Sequence, residues 1–92
     1  AAAKAGVMAL TRCVAMEAAD FGVRINAVAP SIALHEFLEK TTSKDLLKKL
    51  AEKEAFGRAA EVWEVANVII FLSSEYSSYM TGEVVPVSSQ RA

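Results

Sequence analysis

The chain has 92 residues, 53% of them apolar, and a formal net charge of −1. That length bounds it to one domain at most, and the apolar share excludes intrinsic disorder. The near-neutral charge excludes a broad basic surface that would hold nucleic acid by counterion release. The longest apolar run, residues 68–72, falls far short of the roughly 20 residues that span a bilayer, so no membrane partner is expected. The opening residues do not read as a signal or transit segment. Cys13 is the only cysteine; it can form neither an internal disulfide nor a metal knuckle, and a cytoplasmic setting is expected. A small domain leaves much of its surface in water, so this apolar share implies contact with partner surface or a larger fold.

Residues 1–5, Ala-Ala-Ala-Lys-Ala, favour helix strongly but carry no Ser, Thr, Asp or Asn cap. A helix entered mid-turn is the expectation, and with it that the chain is the C-terminal part of a longer polypeptide. The helix should run to about Asp20. Val7, Leu10, Val14, Ala18 and Phe21 form one apolar stripe, and Gly6, Ala9, Cys13 and Met16 a second face, so burial on two sides is predicted. Gly22 reads as the left-handed residue that ends it.

Residues 23–29 are β-branched or small and apolar, and Pro30 stops them, the pattern of a strand covered on both faces in a parallel sheet. Residues 31–42 lack clean periodicity and predict a loop, with one helical turn near 35–39. Ser43 can cap a helix that turns Leu46, Leu47, Leu50 and Ala51 inward and Lys44, Lys48, Lys49 and Lys53 outward, with Gly57 as its end. A helix over about 61–73 follows, then a polar turn over 74–78 and a buried strand over 83–87. Two short apolar strands cannot make a stable sheet alone. The expected fold class is therefore α/β: the last two strands of a Rossmann-type doubly wound parallel sheet, with flanking helices.

Several segments, in order, resemble the short-chain dehydrogenases/reductases. Ala1-Ala2-Ala3-Lys4-Ala5-Gly6 is similar to the end of that family's YAAAKAG form of the YxxxK motif. Arg24-Ile25-Asn26-Ala27-Val28-Ala29-Pro30 resembles RVNxVxPG. Phe56-Gly57-Arg58, Glu64-Val65-Ala66, Phe71-Leu72-Ser73-Ser74 and Thr81-Gly82-Glu83-Val84 resemble its GR, E-(I/V)-A, FL-S and TG-x-x-(I/V) signatures. The resemblance covers essentially the whole chain and is nearest to 3-oxoacyl-thioester (ACP or CoA) reductases.

The resemblance implies NAD- or NADP-dependent reduction of a ketone or oxidation of a secondary alcohol, on a small-molecule substrate such as a CoA- or ACP-linked 3-oxoacyl thioester. A tyrosine hydroxyl moves the proton while hydride passes between nicotinamide and carbonyl carbon. Lys4 matches the lysine that lowers the pKa of this tyrosine and hydrogen-bonds the nicotinamide ribose; the tyrosine would stand one residue before Ala1. Pro30, Ser31, Ile32, Ala33 and His35 fall on the cofactor-side loop. In the family, the backbone at Ala33 meets the carboxamide, and His35 replaces a threonine at the diphosphate. Ser31 replaces a glycine and would be strained if that site needed positive φ. Ser88-Ser89 replace an Asp-Gly, and Val62 a frequent proline.

By the same resemblance, residues 1–21 are the catalytic and interface helix, 23–35 the nicotinamide-side strand and loop, 36–57 a substrate lid, and 58–92 the last helix and strand. The two-sided first helix predicts a homodimer or homotetramer. No metal site is expected, and the 92 residues alone should be inactive. The rival reading is a non-catalytic relative serving assembly, motivated by Ser31 and Ser88-Ser89. Cys13 and Trp63 read most simply as packing residues, His35 as a loop residue, and the lysines of 44–53 as a wet face or a contact for a phosphate-bearing thioester.

Overall fold

The computed structural model describes residues 2–31, 33–34 and 43–90. In chain order the elements are α1 (Ala2–Ala18), β1 (Ala27–Pro30), β2 (Ala33–Leu34), α2 (Lys44–Glu52), β3 (Ala60–Glu61), α3 (Val62–Ser73) and β4 (Val84–Val87), with 3₁₀ turns at Ala19–Phe21 and Glu75–Ser77. They fall into two compact units, one of Ala1–Ala29 with Ile69–Val85, the other of Pro30–Val68 with Pro86–Ala92.

In the first unit, α1 ends in the turn Ala19–Phe21, and Gly22 takes the left-handed conformation at φ 70° with its N–H on Ala19 O at 3.0 Å. Burial on α1 differs from the two-faced expectation. Thr11 and Ala15 are buried, whereas Val7, Leu10 and Phe21 are 57%, 62% and 83% exposed. Periodicity defines the faces of a helix but not what packs on them. Here the cover is narrow: a Cβ placed on Gly82 would lie 3.4 Å from Ala15 Cβ. Leu72 near the end of α3 and Ser77 complete the buried set of this unit.

β1 begins four residues later than the composition of 23–29 suggests. The preceding backbone bonds elsewhere: Val23 N–H to Ala18 O, Ile25 N–H to the Thr81 hydroxyl, and Gly82 N–H to Ile25 O. Ladder pairing starts at Ala27, whose N–H reaches Glu83 O at 2.9 Å, and Ser31 N–H reaches Val87 O at 3.1 Å. Both partners advance by four residues in the same sense, so β1 and β4 run parallel, as expected. Most of their residues are half-buried.

In the second unit, Ser43 caps α2 by accepting from Leu46 N–H at 3.2 Å. Leu47, Leu50 and Ala51 are half-buried and the four lysines exposed, while Leu46 lies on the wet side. The helix stops at Glu52, short of Gly57, which at φ 70° closes a separate turn through its N–H to Glu54 O. β2 and β3 pair in parallel, Ala33 with Ala60 and Leu34 with Glu61. This pairing was not anticipated, because two residues carry no periodicity. The turn expected near 35–39 lies outside the described residues.

Candidate functional site

Lys4 lies in the first turn and a half of α1, exposed. Pro30, Ser31 and Ala33 belong to the second unit; Ile32 and His35 lie outside the described residues. Pro30 is the exposed last residue of β1, and Ala33 opens β2.

Ser31 is held by two bonds. Its N–H donates to Val87 O, and its hydroxyl donates to Glu54 Oε1. The strain expected of a serine replacing a glycine is not found: among the described non-glycine residues only Gln90 has positive φ. The Ser31 N–H and hydroxyl are thus both engaged within the chain.

Glu54 was not singled out by the sequence reading, yet it is only 4% exposed. It lines a recess of about 110 Å³ with Ser31, Phe56, Arg58, Ser88 and Ser89. Its Oε2 is buried without a hydrogen-bond partner. The following turn is stapled to the C-terminal segment, with Ala55 N–H bonded to Ser89 O and Gln90 O and Phe56 N–H to Ser89 Oγ. A signal for Glu54 was present in the spacing: Leu47, Leu50, Ala51 and Glu54 extend one inward stripe, and an acid on such a stripe requires a partner.

Beside the recess, the Arg58 guanidinium grips Glu64 through both nitrogens, Nη1 to Oε1 at 2.7 Å and Nη2 to Oε2 at 3.1 Å. Glu64 Oε1 also accepts from Glu61 N–H, tying down the first turn of α3. The hydrogen bond from Arg58, then that from the Glu61 backbone, lowers the Glu64 carboxyl to about 2, and Glu64 raises the Arg58 pKa in turn.

In the first unit, Arg24 has a framework role that its place in the Arg-Ile-Asn motif does not disclose. Its Nη1 donates to Ser77 O, Ser77 Oγ and Met80 O, and its Nη2 to Leu72 O and Ser74 O, all between 2.9 and 3.2 Å. Asn26 bridges the same segment, Nδ2 to Met80 O and Oδ1 from Glu83 N–H. These bonds satisfy the open carbonyls at the end of α3 and set the register in which β4 meets β1.

A family described as "Enoyl-(Acyl carrier protein) reductase" matches residues 1–89. The chain is 72% identical over 90 residues to the (5R,7aS)-5-hydroxy-7a-methyl-1-oxo-2,3,5,6,7,7a-hexahydro-1H-indene-carboxyl-CoA reductase of Mycobacterium tuberculosis, covering 98% of this chain and 34% of that protein. It is 40% identical over 85 residues to the 3-oxoacyl-[acyl-carrier-protein] reductase FabG of Aquifex aeolicus, covering 92% and 34% respectively. The solved structure of a short chain dehydrogenase from Mycobacterium smegmatis superposes with a TM-score of 0.72 at 63% identity, over 99% of this chain and 30% of that one. The chain belongs to the short-chain dehydrogenase/reductase family, and spans about a third of the length of these relatives. No helix among the described residues is long and apolar enough to cross a membrane.

Proposed function

We propose that the complete protein containing this chain is an NAD(P)-dependent oxidoreductase that reduces a ketone, or oxidises the matching secondary alcohol, on a CoA- or ACP-linked small molecule. The observation that carries this reading is the 72% identity, over 98% of the chain, to a reductase named for a bicyclic carboxyl-CoA substrate. A CoA thioester is accordingly preferred to an ACP thioester. The chain is the C-terminal part of the catalytic domain: 1–21 the catalytic and interface helix, 23–35 the cofactor-side strand and loop, 36–57 the lid, 58–92 the last helix and strand.

NAD or NADP supplies the hydride when bound. Lys4 holds the ribose and, through its positive charge, lowers the pKa of a tyrosine one residue before Ala1, so that the phenol can pass its proton to the carbonyl oxygen. The match of residues 1–6 to the end of the YAAAKAG motif supports this role for Lys4. Pro30, Ser31, Ile32, Ala33 and His35 are assigned to the nicotinamide end by their match to the family's cofactor-side motif. The exposed apolar side chains of α1, Val7, Leu10 and Met16 among them, support a homodimer or homotetramer; sedimentation showing only monomer at micromolar concentration would count against that. A cytoplasmic setting completes the proposal.

The test is the complete protein assayed with NADH and NADPH against 3-oxoacyl-CoA and bicyclic oxo-acyl-CoA substrates. Lys4→Met should lower kcat by about 10²- to 10⁴-fold, the range spanned by a positioned proton-transfer group. A wild-type protein with no turnover on any such ketone, or a Lys4→Met variant with unchanged kcat, would overturn the reading.

A further inference from the structure

Two departures from the family pattern, Ser31 for glycine and Ser88-Ser89 for Asp-Gly, are separated by more than half the chain. They meet at one recess, and the group between them is Glu54. Glu54 is 4% exposed, with Oε1 accepting from the Ser31 hydroxyl and Oε2 buried without a partner. Ser89 receives the next two backbone N–H groups, of Ala55 and Phe56. A buried carboxylate costs stability wherever it lacks full hydrogen bonding, so a merely stable turn would be better served by an apolar residue. What the acid does that an apolar residue could not is hold the Ser31 side chain. A glycine at 31 would leave that position fixed only by its N–H to Val87 O.

We propose that Glu54 is a positioning residue for dinucleotide binding: it fixes Ser31, and through it the start of the cofactor-side loop. The inference rests on the oxidoreductase reading, since that reading places the nicotinamide end at residues 30–35. The bonds from 55 and 56 to Ser89 hold the turn that carries Glu54.

The experiment uses the complete protein and four variants, Ser31→Ala, Glu54→Leu, the double Ser31→Ala/Glu54→Leu, and Ser31→Thr, which keeps the hydroxyl. KM for NAD(P)H, kcat, thermal midpoint and calorimetric dinucleotide affinity are measured for each. Losing the Ser31–Glu54 hydrogen bond should raise the dinucleotide KM and Kd on the order of tenfold in each single variant, with kcat within about twofold. The double variant should be no worse than the worse single one, because the two residues act as a unit, and Ser31→Thr should stay near wild type. Unchanged KM and Kd in both single variants, with only the thermal midpoint lowered, would overturn the proposal, as would effects that multiply in the double variant. A wild-type protein that binds dinucleotide but turns over no ketone would count against the proposed reaction and leave this comparison of affinities decisive.

Discussion

At the scale of single residues, the role of Arg24 in the first unit is architectural. Five donor contacts from one guanidinium reach the carbonyls of Leu72, Ser74, Ser77 and Met80 and the Ser77 hydroxyl. Leu72 and Ser77 are buried residues, so removal of the donor leaves acceptors that water reaches poorly. Arg24→Ala should therefore destabilise the complete protein by about 2–4 kcal/mol in urea unfolding. Arg24→Lys should recover only a fraction, because a point charge cannot span the carbonyls that a planar fork reaches. Full recovery by lysine would sink the account. Glu64 offers a contrasting case on the rim. Its folded-state pKa, about 2, lies below the ordinary 4.5, so its stabilisation is complete above pH 4.5 and is lost as pH falls toward 2. The pair with Arg58 is solvent-exposed and screened, so the effect is small. Thermal midpoints of wild type and Glu64→Gln should differ near neutrality and converge by pH 2, with a smaller gap in high salt; a gap independent of pH would contradict the assigned role.

At the scale of elements, two glycines separate conformational cost from steric cost. Gly22 and Gly82 have φ of 70° and 72°, in the region that L side chains resist. An added Cβ meets nothing within 4 Å at Gly22, and meets Ala15 Cβ at 3.4 Å, an ordinary contact distance, at Gly82. Each alanine substitution should thus cost about 1–2 kcal/mol from backbone conformation alone, and the two should agree closely in chemical denaturation. A much larger loss at Gly82 would mean that α1 packs more tightly there than these distances give. The same elements mark what could be read in the sequence. Ser43 with its lysine-faced helix and the Gly22 stop were legible because each depends on neighbours within a turn or two; the strand at 84–87 was legible from its apolar, β-branched composition. The start of β1 was not: residues 23–26 have strand composition, but Thr81 and Gly82, more than 50 residues away, take their hydrogen bonds. Glu54 was missed for the same reason, its partner Ser31 standing 23 residues earlier. The placement of Lys4, Pro30 and Ser31 came from family motifs, and for these the structure adds what each touches.

At the scale of the whole molecule, the 53% apolar content is not matched by burial. Among the described residues the buried hydrophobic side chains are Ala15, Ala59 and Leu72, while Leu10, Met16, Trp63, Ile69, Ile70 and Phe71 are exposed by 42–78%. Large apolar side chains left in water forgo most of the roughly 1.5–3 kcal/mol that each contributes when fully buried. An open recess of about 690 Å³ in the first unit is lined in part by Val28 and Ile69, apolar side chains without full cover. The 92 residues alone should therefore bind a hydrophobic dye, melt without a cooperative transition by circular dichroism, and turn over no NAD(P)H. The complete protein should exclude the dye and unfold cooperatively, because the exposed faces of α1 and α3 then have surface to pack against. A sharp thermal transition of the isolated chain, with dye excluded, would mean that it folds as an independent helical module. Turnover by the isolated chain at a rate comparable with the complete protein would show that the proton-transfer machinery lies within these residues, and the role given to Lys4 would have to be abandoned.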